Sequence, residues 1–508
     1  MFPSSNERKM KTLNNNNDDN ADNNRRRKVL LPHNIHLIIA ATTTFTLAII
    51  FVATSLTTTP SVSATTTGNN TTATTTIAPP SLPALELSSQ PIGDEKATII
   101  TVQDIDSRIG FENATNLTDN PNDSDYGQVA ASQNNVYVAW QDSMPSDNRN
   151  YDIFIKKSVN NGNTFGPPVN LSNNSGFSEH PQIAAYKENV YVAWVDNTLG
   201  NKEILFARSI DNGTSFSKAI NLSNTSANSA NVEIVAFENY VYAVWLDEDE
   251  GGNGIILFKA SKNGGDTFSN AIPIALNAND SEITFPKVAA YDDNVYIAWN
   301  LAANNNQEAE MMTDLLYVKS SDQGNTFGPP IKLNNNNQEK VGEAQIVAYK
   351  NAVYVIWGSS PFGQVTSNLF FTKSTDSGNT FLNATEIKSK NFVNPSNVEI
   401  VVVANNDDEK NGQQRLSSLS SLPPYRQEQQ PYLYVVGQVS SLSDKNDEIF
   451  LTFSSDNGDT FSEISTNLSN NLDTSECPSI AQSENDIYVT WQDKTPGNNE
   501  ILFTKAKI

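Results

Sequence analysis

Short apolar runs, not long periodic stretches, organise this chain. The run Val136-Tyr-Val-Ala-Trp140 returns as Val190–Trp194, Val241–Trp245, Val295–Trp299, Val353–Trp357, Leu433–Gly437 and Ile487–Trp491. Between last residues the spacings are 54, 51, 54, 58, 80 and 54. The long interval exceeds the common one by 26, the length of the low-complexity run Asn405–Gln430. The repeat is therefore regular, with one disordered insertion in the sixth copy. Each copy reads as four strands: one like Gln182–Tyr186, the recurring run, a third like Glu203–Phe206 and a fourth like Lys218–Leu222. The second and third are almost continuously apolar and rich in β-branched and aromatic residues, which predicts burial on both faces. A lone four-stranded sheet cannot bury two faces, but a ring of sheets can, because each is flanked by its neighbours. The pattern predicts an all-β, seven-bladed β-propeller over residues 112–508.

The ends of the repeat predict how the ring closes. The seventh copy stops at Ile508, just after its third strand, Glu500–Phe503. A spare fourth-strand sequence, Asn113-Ala-Thr-Asn-Leu117-Thr, lies at the N-terminal border and matches Ala219-Ile-Asn-Leu222-Ser. It is expected to complete the last blade and cover its open edge. Upstream, residues 1–34 are polar and end near Arg25-Arg26-Arg27-Lys28, and residues 35–56 carry no charge. Twenty-two residues at ~1.5 Å rise span about 33 Å as a helix, enough to cross a bilayer. The basic flank predicts an anchor with everything after it exported; the alternative is a signal peptide cleaved near Val62-Ser63-Ala64. Residues 57–91 read as a Thr/Ser/Pro-rich stalk and 92–111 as a linker. The expected location is the cell membrane as a single-pass protein with the propeller outside, or secretion if the segment is cleaved.

Composition narrows the chemistry. Lys and Arg total 33 against 57 Asp and Glu, for a net charge of −24. That sign is wrong for a phosphate-binding surface, so no nucleic-acid partner is expected. The single cysteine, Cys477, excludes an internal disulfide framework and a multi-cysteine metal site. Export agrees with N-glycosylation sequons such as those at Asn113, Asn116, Asn170, Asn173, Asn212, Asn221, Asn224, Asn279, Asn383 and Asn467.

A second signature recurs between third and fourth strands. It reads Ser209-Ile-Asp211-Asn-Gly213-Thr-Ser215-Phe216, and returns around Asp322, Asp376 and Asp456, with Asn160 and Asn263 at the Asp position in two further copies. A short carboxylate or amide can accept hydrogen bonds from its own turn, and Gly supplies a conformation other residues resist. The pattern S-x-D-x-G-x-T-F resembles the Asp-box (BNR) repeat of sialidase-like propellers. The resemblance covers nearly all of residues 112–508. It implies that Asn160, Asp211, Asn263, Asp322, Asp376 and Asp456 are structural and lie on the face opposite the functional one. It also implies that function belongs to the loops joining fourth to first and second to third strands. Sialidase chemistry itself is not matched: the arginine triad that grips the substrate carboxylate has no counterpart, because Arg108, Arg149, Arg208, Arg415 and Arg426 are the only arginines past the membrane segment. No catalytic residue is assigned.

Several recurring residues read as structural. Trp140 and its equivalents are expected to pack blades. Asp142, Asp196, Asp247 and Asp493, two residues after Trp, and Glu203, Glu448 and Glu500, before the third strand, are expected to make loop hydrogen bonds. His180 is read as a loop residue. Calcium at Asp247-Glu-Asp249-Glu250 lacks an EF-hand spacing, so neither a metal site nor a cofactor is assigned. One position stands apart. Near the start of each innermost strand a polar residue interrupts apolar neighbours: Gln128, Gln182, Glu233, Lys287, Gln345, Glu399 and Ser479. It reads either as a solvated channel lining or as a ligand ring, and is the candidate binding site. The leading expectation is a membrane-anchored surface binding or envelope module for an extracellular glycan or protein ligand. The alternative is a sialidase-like glycoside hydrolase using loop carboxylates.

Overall fold

The computed structural model describes residues 110–143, 150–277, 281–303, 312–334, 339–361, 366–392, 394–404, 430–440 and 446–508, and the short strands Ile38–Ala40 and Ala48–Ile50. The chain divides into two units, Met1–Lys96 and Ala97–Ile508. In the first, Ile38–Ala40 pairs antiparallel with Ala48–Ile50. The stalk, most of the expected membrane segment at 35–56 and nearly all of the Asn405–Gln430 insertion lie outside the described residues. Among the described residues no helix is long and apolar enough to cross a membrane.

The second unit is a ring of seven four-stranded antiparallel sheets. Blade one runs Ser124–Ser132, Asn135–Ser143, Tyr151–Ser158, Val169–Asn170, from the innermost strand outward. Blade two repeats it as Ser178–Tyr186, Asn189–Asp196, Glu203–Ser209, Ile220–Asn221. The innermost strand thus begins four residues before the expected Gln182, and the outermost shrinks to two residues. Each second strand shows why the sequence makes a ring. Side chains alternate across a strand. Val136, Val138 and Trp140 therefore pack with Tyr488 and Phe503 of blade seven, while Tyr137 and Ala139 pack with Val190, Val192 and Trp194 of blade two. The core is seven such wedges between adjacent blades, not one central core.

Closure follows the expected route. Thr115 and Asn116 pair with Phe503 and Leu502 as the fourth strand of blade seven. The equivalence extends to side chains. The Leu117 amide donates to the Ile501 carbonyl at 2.8 Å, as Leu222 does to Ile204 at 2.7 Å. The Thr118 hydroxyl donates to Glu500 where Ser223 donates to Glu203 and Ser469 to Glu448. These glutamates are structural, as expected. The aspartates after Trp are too: Asp142, Asp196, Asp247 and Asp493 each accept from the Trp indole N–H at 2.8–3.2 Å and from a serine opening the innermost strand.

The turns between third and fourth strands join blades together. The Asp322 carboxylate accepts from the Ser320 and Thr326 hydroxyls and the Thr326 amide, which pulls it down to about 2. Asn160 and Asn263 accept the equivalent amide at 3.0 Å. Gly324 (φ 77°) has Phe258 of the preceding blade 2.6 Å from where a Cβ would stand, so both backbone conformation and space exclude a side chain. Phe327 meets Phe258 edge-on, as Phe165 meets Phe503 across the closure. The turn aromatic therefore seals the seam to the preceding blade. Arg208 likewise donates to Gly264 and Asp266 in the next blade's turn, a structural position.

The blade without a Trp has its own solution. A Cβ on Gly437 would lie 2.8 Å from Phe392, whose buried ring, supplied by the segment between blades five and six, occupies the space an indole fills elsewhere.

Candidate functional site

The mouth of the ring is built by a repeated irregularity. Every innermost strand shifts register once, two or three residues before the polar ring position: between Asp125 and Gln128, Glu179 and Gln182, Ala230 and Glu233, Thr284 and Lys287, Val341 and Ala344, Ser396 and Glu399, Glu476 and Ser479. Such a β-bulge re-aims side chains. In six blades the bulged residue is left-handed: Tyr126 (φ 54°), His180 (51°), Asn231 (51°), Phe285 (52°), Asn397 (46°) and Cys477 (50°). Glu343 holds the place in blade five. Left-handed backbone is strained for bulky side chains, at about 1–2 kcal/mol each, and strain of this kind clusters at functional sites. Neighbouring blades support it. The His180 amide donates to Gln141 at 2.9 Å, Tyr126 to Gln492 at 3.2 Å and Cys477 to Gln438 at 3.4 Å, each acceptor lying one residue past the Trp position of the preceding blade.

These bulges bring the ring residues to one cavity of about 250 Å³. Gln128, Gln182, Glu233, Lys287, Gln345 and Glu399 line it, and Ser479 lies buried behind, its hydroxyl 3.3 Å from Gln128 Oε1. The bulge residues form a second, outer tier that the sequence reading did not identify. His180 belongs to it, so it is a strand residue at the mouth and not a loop residue; its ring meets Tyr126 edge-on at 4.5 Å. A signal for this tier does exist: Pro181, Pro286 and Pro478 each follow a bulge residue, and proline inside an apparent strand marks a bulge or an edge.

The mouth is electrostatically asymmetric. The Lys287 ammonium, only 8 % exposed, contacts both the Glu233 and Glu343 carboxylates. Burial opposes its charge, but the two carboxylates prevail and hold it protonated, above its ordinary range. Burial pushes Glu233 up despite Lys287. Burial also pushes Glu399 up to about 7, although its Oε2 accepts the Ile480 amide at 2.8 Å. His180 is held below its ordinary value by burial, so its imidazole is neutral at pH 7. Burial raises the Cys477 thiol to about 12, which leaves it unreactive.

Away from the mouth, Asp249 is satisfied by its own turn, accepting from Gly251 at 2.8 Å and Asn253 at 2.9 Å. Among the described residues no group of three His, Cys, Asp or Glu could hold a metal. Of the sequons, Asn113, Asn173, Asn224 and Asn383 are exposed; Asn116, Asn170, Asn212, Asn221 and Asn467 are half-buried, and Asn279 lies outside the described residues.

No family model matches this chain, and no curated protein does. Solved structures with a similar arrangement include a protein of unknown function from Dyadobacter fermentans (12 % identity, 79 % of this chain and 99 % of that one, TM-score 0.45). An α-L-arabinofuranosidase from Fusarium graminearum, in complex with arabinobiose, shares 12 % identity over 65 % of this chain and 93 % of its own, with a TM-score of 0.46. The Trypanosoma rangeli sialidase shares 12 % over 76 % of this chain and 55 % of its own, with a TM-score of 0.41.

Proposed function

We propose that this protein is an exported, membrane-anchored Asp-box propeller whose central mouth binds an extracellular glycan. The observation that carries the reading is the convergence of seven bulges on one cavity. A sugar presents hydroxyls that both donate and accept, and an apolar face of C–H groups. The amides of Gln128, Gln182 and Gln345 both donate and accept, and Tyr126 and Phe285, 38 % and 40 % exposed, offer rings at the rim. A concave, strained and mixed polar–aromatic lining suits recognition. The carboxylates Glu233 and Glu343 are engaged by one lysine, which removes them as a free catalytic pair.

The test is a glycan array probed with the full chain and with a Gln128→Ala/Gln345→Ala variant. Retention of a glycan by the native chain and its loss in the variant supports the reading. Equal retention by both, or no retained glycan, contradicts it.

A second reading keeps one observation in its favour. Glu399, raised to about 7, has the proton affinity of a general acid. Turnover of aryl glycosides by the full chain, abolished by Glu399→Gln, would favour a glycoside hydrolase.

A further inference from the structure

The charge of the mouth carries the glycan reading further and rests on it. Among the described residues the lining holds one lysine, no arginine and three carboxyl groups, Glu233, Glu343 and Glu399. Lys287 is already shared between two of these, so it has no unmatched charge to offer an anion. One ammonium cannot cancel two carboxylates, and the lining keeps a formal excess of negative charge even with Glu399 protonated. His180 is neutral and adds nothing positive. Behind the rim stand Asp125, Glu179 and Glu476. Lys202 lies 3.2 Å from Glu179, and Lys494 lies 3.9 Å from Glu476. Asp125 is held by an amide, Asn499, not by a cation. The rim also carries the faces that suit a cation. Tyr126 and Phe285 stand on the first and fourth blades, each exposed at a strained bulge, and aromatic faces attract an ammonium within about 6 Å.

We propose that the mouth selects a sugar bearing a protonated amine and rejects an acidic one. The Glu343 carboxylate, the more open of the lysine's two partners at 33 % side-chain exposure, and Glu399 receive the ammonium. Lys287 acts as a positioning residue that holds Glu233 and Glu343 at the lining. An acidic sugar meets uncompensated carboxylates and no free cation, a like-charge juxtaposition that specific sites use to exclude competitors.

Glucosamine, glucose and glucuronate share a ring and differ in charge. Titrating the full chain with each at pH 7 and low salt, by calorimetry or ligand-observed NMR, reads the selectivity. Glucosamine is expected to bind at least tenfold tighter than glucose, with glucuronate weaker than both. In Glu343→Gln and Glu399→Gln chains the amine preference, read as the ratio of glucosamine to glucose affinity, should fall several-fold. Salt should reduce the preference in the native chain. Glucose binding equal to glucosamine, or glucuronate binding tightest, overturns the charge selectivity and leaves the mouth as a glycan site. Binding of none of the three overturns the selectivity, and the glycan array then decides the site itself.

Discussion

Replacing Lys287 with Met removes the ammonium that stands between Glu233 and Glu343 while keeping most of the side-chain volume. In the native ring this group is 8 % exposed and contacts both carboxylates, whose side chains are 18 % and 33 % exposed. Breaking one partner out of a buried ion pair costs about 3–5 kcal/mol, because the remaining charge stays desolvated. Glu343 keeps a route to water, so the lower end, about 3 kcal/mol, is expected here. The cost should depend on pH in a defined direction. Burial already raises Glu233 with the lysine present, and loss of the lysine raises it further. A carboxyl whose folded pKa is raised favours the fold at low pH and loses that contribution as pH rises through the folded value. The Lys287→Met deficit should therefore be full at pH 8 and smaller at pH 5. Urea unfolding followed by tryptophan fluorescence measures both. A Lys287→Met/Glu233→Gln/Glu343→Gln chain, in which neither former partner of the lysine carries a charge, should recover most of the loss at pH 8. A deficit under about 1 kcal/mol, or one independent of pH, would refute the claim that this lysine is what holds Glu233 and Glu343 in the lining.

Other outcomes follow from the same geometry. Phe392→Ala should cost about 3–5 kcal/mol, since it empties the space left by Gly437; Gly437→Trp alone should also destabilise, and the pair Phe392→Gly/Gly437→Trp should be more stable than either single change, as read by thermal unfolding. Glu399→Gln should stabilise the chain at pH 8 by up to about 3 kcal/mol, because the native carboxyl, raised to about 7, is buried ionised there; the advantage should vanish towards pH 4.5, where the native group is protonated. Leu117→Ala should cost about 2–5 kcal/mol, although the residue lies almost 400 positions from its partners Ile501 and Phe503. Hydrogen exchange should then speed up across Glu500–Lys507.

The fold was legible because its information is repeated. Seven copies of the Trp run set the blade count, and the match between Asn116-Leu117-Thr118 and Asn221-Leu222-Ser223 was enough to place the closing strand. Local hydrogen-bond roles were legible for the same reason, as at Asp196 and Glu203. The inner polar tier was legible as a break in apolar pattern, from Gln128 to Ser479. The outer tier was not, because Tyr126, His180, Asn231, Phe285, Glu343, Asn397 and Cys477 share no chemistry. A backbone bulge unites them, and a bulge leaves a trace in sequence only where proline follows it. The Phe392 plug was hidden for a different reason: it substitutes for a missing indole from outside the repeat register, and only packing reveals it.

The most direct test of the mouth as the binding site is a structure of the full chain determined with its array-identified glycan. The terminal sugar is expected inside the ring, within hydrogen-bond distance of Gln128, Gln182 or Gln345 and against Tyr126 or Phe285. A glycan seated on the Asp322–Phe327 face or on the outer strands, with the mouth empty, would contradict it.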